Sequence, residues 1–74
     1  MEEITRLQKF AATPFKQEIE LQRVDHAAGF TTLRIRIREG KRFTIFDIDE
    51  ATALHWGEAL TDWARSRAQT GETK

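Results

Sequence analysis

The chain has no cysteine and no tyrosine, and only one proline and one methionine among its 74 residues. Without cysteine, disulfides and thiolate metal sites are excluded. Its two histidines, His26 and His55, are far apart. No HExxH pattern, phosphate-binding loop, dinucleotide fingerprint or Ser–His–Asp arrangement is present. Neither sign of charge is in excess, with twelve basic and twelve acidic residues, so whole-chain electrostatics do not call for nucleic acid or an anionic membrane. No apolar run approaches the roughly 18 residues needed to span a bilayer. The opening MEEITRLQKF is interrupted by charge throughout, unlike a signal peptide. The expectation is a soluble, cytoplasmic protein that is not an enzyme and uses no cofactor or metal. No repeat or linker is visible. Residues 1–68 read as one small domain and residues 69–74 as a polar tail that frays. A core of this size is marginal, and with disulfides and metals excluded, self-association is the remaining route to stability.

What the chain does have is alternation. Leu33, Ile35 and Ile37 alternate with Arg34, Arg36 and Arg38, the signature of a strand buried on one face. Phe43 and Ile45 share one parity and Arg42 and Thr44 the other. Between the two arms lies Arg38-Glu39-Gly40-Lys41, whose spacing fits a three-residue connection with Gly40 as the bulge residue in the left-handed conformation. That turn pairs Ile37 with Lys41, Ile35 with Phe43 and Leu33 with Ile45, so apolar meets apolar. Residues 15–24 alternate as well. Pairing Val24 with Phe30 around the loop at 25–29 sets Ile19 against Ile35 and Leu21 against Leu33. The same register sets Glu20 against Arg34 and Glu18 against Arg36 on the other face. Residues 1–13 fit an edge strand or a short helix, ended in either case by Pro14.

Asp49 is a good N-cap, and Glu50 suits the positive end of a helix dipole. The helix is predicted over residues 50–67. On a helical wheel Trp56, Trp63, Leu60, Ala53, Ala64, Gly57 and Leu54 fall within about half the circumference. His55, Glu58, Asp62 and Ser66 lie opposite. The predicted fold is therefore α+β: an antiparallel meander of three or four strands with one C-terminal helix across one face.

Four groups are candidates for function. Arg34, Arg36 and Arg38, with Lys41 and Arg42 nearby, make a basic sheet face of the kind that follows a phosphate backbone. Against this, Glu18 and Glu20 are placed to neutralise it. Only Phe46, with Phe10 a weaker candidate, offers an aromatic platform there. Trp56, Trp63 and Leu60 form an apolar strip on a helix whose apolar arc is too wide for one sheet contact. Such a strip serves either the core or an interface. His55, Glu58 and Asp62 share a helix face but lack the converging ligands a metal needs. Of the acidic group Asp47, Asp49 and Glu50, Asp49 is better used as a cap.

At RIREGKRFTIFDID followed by EATALHWGEALTDWA, the chain resembles a group of short bacterial proteins to which no function is attached. The order of elements is also similar to that of the positive-cofactor-four family of single-stranded DNA-binding coactivators. That resemblance implies a dimer with nucleic acid on the sheet, and it is architectural alone. The leading functional expectation is a non-enzymatic module that self-associates, or docks on a larger protein, through the helix and its Trp edge. The alternatives are single-stranded nucleic-acid binding through the basic sheet face and service as an accessory subunit of a larger enzyme complex.

Overall fold

Each alternating segment becomes a strand. In the computed structural model, which describes residues 2–69, the elements are β1 (Glu3–Ala11), β2 (Glu18–Asp25), β3 (Thr31–Glu39), β4 (Arg42–Ile48) and α1 (Glu50–Gln69). The sheet is an antiparallel meander in the order β1-β2-β3-β4, followed by one C-terminal helix, so the fold is the expected α+β. The segment left open between strand and helix is strand β1. The last predicted tail residues, 70–74, lie outside the described residues.

The registers differ from those read off the sequence. In β2–β3, Ile19 faces Ile37, Leu21 faces Ile35 and Val24 faces Thr32, two residues away from the expected pairing. A shift of two keeps every side chain on its own face. The cause lies in the connection. The Phe30 carbonyl accepts from the His26 amide at 2.9 Å, and Phe30 leaves the strand to stack on the His26 ring at 4.4 Å. Gly29, at φ 95°, makes that turn.

The β3–β4 correction has larger consequences. The connection has two residues, not three, and Glu39 faces Arg42 directly. Gly40 has φ 61°, as expected. With a positive φ at the first central residue only, the turn has the form of type II′, whose twist matches the flanking strands. This slips β4 by three residues against the expected pairing, an odd number, and so exchanges its faces. Phe46 now faces Ile35 and Ile48 faces Leu33, so these residues join the helix side. Phe43, Ile45 and Asp47 turn to the arginine side.

In β1 the register shifts between Arg6 and Gln8. This bulge at Leu7 places Ile4 and Arg6 on the arginine side and Phe10 on the helix side. Val24, cross-strand from Ile4 and Thr32, lies on the arginine side and is fully enclosed. Just past Ile48, at the same end of the sheet, Asp49 caps α1, its Oδ1 accepting from the Thr52 amide at 3.1 Å.

Little else is enclosed. Val24 and Ile35 are the only buried hydrophobic residues among the described ones. The accessible surface is 6146 Å², whereas a monomer of 8.6 kDa has roughly 4,700 Å² by the usual mass scaling. The radius of gyration is 14.9 Å, against about 11 Å for a compact domain of this length. The single chain is open because α1 lies over one part of the sheet, approaching β3 most closely.

The turn supplies a test. A Cβ built on Gly40 meets no atom within 4 Å, so a substitution there reports backbone strain alone. Gly40→Val is expected to lower stability by about 1–2 kcal/mol in chemical denaturation. An unchanged midpoint would contradict the turn.

Candidate functional site

The sheet has two unlike faces, and the residues singled out in the sequence divide between them. On the face away from α1, the arginines are matched to carboxylates. Arg34 grips Asp47 with two nitrogens, Nε to Oδ1 at 2.8 Å and Nη2 to Oδ2 at 3.2 Å. Arg36 donates to Glu20 at 3.3 Å and Arg38 to Glu18 at 3.1 Å. Both glutamates therefore neutralise the stripe, one partner further along than the expected register had them, and Asp47 takes Arg34. Arg42 forms no ion pair with a described residue.

Glu20 is the hub of this face. It is nearly buried and also accepts from Arg6 Nε at 3.1 Å and Gln22 Nε2 at 3.0 Å. The Gln22 amide, with Arg6 and Arg36, holds its carboxyl below the ordinary value. Arg34 and the Thr32 hydroxyl do the same for Asp47, and Asp47 in turn raises Arg34. The Thr32 hydroxyl donates to Asp47 at 2.9 Å. His26 completes the row, with Nε2 at 2.9 Å from Thr32 Oγ1 and Nδ1 at 3.1 Å from Glu2 Oε2. Among the described residues no buried side-chain polar atom lacks a partner. Phe46 and Phe10, expected as the aromatics of this face, are on the other one. Phe43 stands here instead, beneath the Arg36 guanidinium at 5.5 Å.

The opposite face is apolar and half covered. Phe10, Ile19, Leu21, Ile35, Ile37 and Ile48 from the sheet, with Ala53, Trp56, Gly57 and Leu60 from α1, line an open cleft of about 340 Å³. Trp56 stacks on Phe46 with centroids 6.0 Å apart and planes at 24°. Trp63 lies two turns further along the same side of α1 and is 67% exposed. Leu60 is 59% exposed and Leu54 65%. The predicted trio Trp56, Leu60 and Trp63 is thus brought together as a strip. Phe46 and Phe10 belong beside it, but the β4 slip and the Leu7 bulge conceal them from period-two reading.

His55, Glu58 and Asp62 are exposed along α1, and no group of three or more His, Cys, Asp or Glu converges for a metal among the described residues. Asp49 is committed to the cap. No helix among them is long and apolar enough to cross a membrane.

A small antiparallel α+β domain, self-satisfied on its charged face and open on its apolar face, is what the geometry defines. Residues 1–66 match a family of unknown function, DUF6967, and the chain belongs to that family. No curated protein and no solved structure matches it, so the resemblance to positive-cofactor-four domains gains no support and the family brings no activity.

The charged face predicts an acid response. On it Glu18, Glu20 and Asp47 all lie below their ordinary values, as does Asp25 at the end of β2 beside Thr31 and Arg23. The unfolded chain therefore takes up protons first as pH falls, and stability present above the ordinary carboxylate value of about 4 is lost below it. Melting temperature should fall between about pH 5 and pH 3, and less steeply in Asp47→Asn. A flat profile would contradict the pairing.

Proposed function

We propose that this chain is a non-enzymatic interaction module whose partner is a second copy of itself, seated over the apolar strip of Trp56, Leu60 and Trp63. The observation that carries the reading is the surplus of surface. The single chain exposes 6146 Å², about 1,400 Å² more than a monomer of its mass. A surplus of that size per chain matches what each partner contributes to a large, obligate type of interface. Leu60 and Trp63 stand exposed along one side of α1 with Trp56 partly so, and an exposed apolar strip marks a contact surface. Covering it also supplies the core that the single chain lacks. The absence of cysteine, and of a membrane-crossing helix among the described residues, supports a cytoplasmic setting.

Single-stranded nucleic acid is the weaker reading. Phe43 does offer one stacking surface on the charged face, but Arg34, Arg36 and Arg38 already have carboxylate partners. Phosphates would have to compete for each of them, and backbone-tracking grooves normally present unopposed cations.

Sedimentation tests the reading. A dimer is expected at micromolar concentration, and Trp63→Ala should raise its dissociation constant at least about tenfold, as for an interface anchor. A monomer up to millimolar concentration would overturn self-association. An oligonucleotide bound at low salt and released steeply as salt rises would favour the charged face instead.

A further inference from the structure

The two edges of the sheet are built differently. β1 is blunted by the bulge at Leu7 and carries Glu3, Arg6 and Lys9 along its length. Bulges and charges are the usual protection of an edge strand. β4 has neither. Its seven residues, RFTIFDI, pair with β3 without interruption and contain no charge between Arg42 and Asp47. Phe43 and Ile45 are 55% and 51% exposed.

Backbone geometry identifies which groups of β4 are open. A two-residue turn is closed by a hydrogen-bonded pair, here Glu39 and Arg42. Antiparallel ladders then alternate. Thr44 and Phe46 direct their amides and carbonyls into β3, while Phe43, Ile45 and Asp47 direct theirs outward. The outward groups form an unused ladder along an apolar edge.

We infer that this edge is where two copies join: β4 pairs antiparallel with β4 of the second copy about a two-fold axis at Thr44, making one continuous eight-stranded sheet. This rests on the self-association proposed above and gives it a geometry. The axis at Thr44 brings outward groups opposite outward groups and sets Phe43 against Ile45 of the other copy. It also sets Lys41 against Asp47, so among the outward residues apolar meets apolar and opposite charges meet, while on the helix side Arg42 lies against the Phe46 ring, which a guanidinium can stack on. An axis at Ile45 would also join the ladders but would place Asp47 against Phe43. A two-fold axis perpendicular to the sheet keeps both helices on the same face. The tryptophan side of α1 is the side turned to this edge, because Trp56 stacks on Phe46 of β4 and Trp63 follows it two turns on. The two Trp63 strips thus approach across the junction, and the open ladder and open strip are covered by one partner.

Amide hydrogen exchange of the full chain, resolved by residue in NMR and run where sedimentation finds the dimer, tests this. The amides of Phe43 and Ile45 are expected to be protected at least about a hundredfold over unstructured values, as Thr44 and Phe46 are, and to lose that protection on dilution. Fast exchange at Phe43 and Ile45 in an established dimer would overturn the edge junction while leaving self-association standing. A monomer at all concentrations would remove both. Ile45→Lys, whose side chain and amide both point away from the β3 ladder and the cleft, should raise the dissociation constant at least about tenfold with the fold intact by circular dichroism. An unchanged constant in a folded variant would also overturn the junction.

Discussion

A helix about 10 Å across cannot cover a sheet of four strands spaced nearly 5 Å apart. The surface of this chain follows from that mismatch. β3 is flanked on both sides and lies nearest α1, so Ile35 at its middle is enclosed. Away from it, Leu60, Trp63 and Phe10 stay open on the same face. The energy that would come from burying them is not realised within one chain, and apolar burial is the dominant favourable contribution to folding. A sheet that stops at β4 with its outer ladder unused leaves the same shortfall in hydrogen bonding.

The charged face follows a different logic. Cross-strand ion pairs at an exposed surface contribute little each, and their role here is in specification. Glu20 reaches Arg6 on β1 and Arg36 on β3, while Asp47 ties β4 to Arg34. A slip of any strand by one residue would carry these carboxylates to the apolar side and strand them there. Charge on one face therefore fixes the register that presents the apolar residues on the other.

How far this was legible depends on the strand. In β2 and β3 the alternation is unambiguous, and the faces come out as read. The register moved by two because a shift of two preserves every face, so patterning cannot distinguish the alternatives. In β4 both parities are apolar, Phe43 and Ile45 on one, Phe46 and Ile48 on the other. The two-residue turn and the Asp47–Arg34 pair decide between them, and neither is a periodic signal. β1 changes parity within itself at Leu7, which is why residues 1–13 looked as helical as they did extended. Trp56, Leu60 and Trp63 were legible as a strip because helical spacing alone groups them. That Phe46 supports Trp56 depends on the β4 register and was hidden with it.

The central claim is that the folded chain is incomplete without a second copy, and thermal unfolding across protein concentration tests it most directly. If folding and association are coupled, the melting temperature rises with concentration, by a few degrees for each tenfold increase in a domain of this size. A melting temperature unchanged over a thousandfold range would mean that the single chain holds itself together, and would contradict the account.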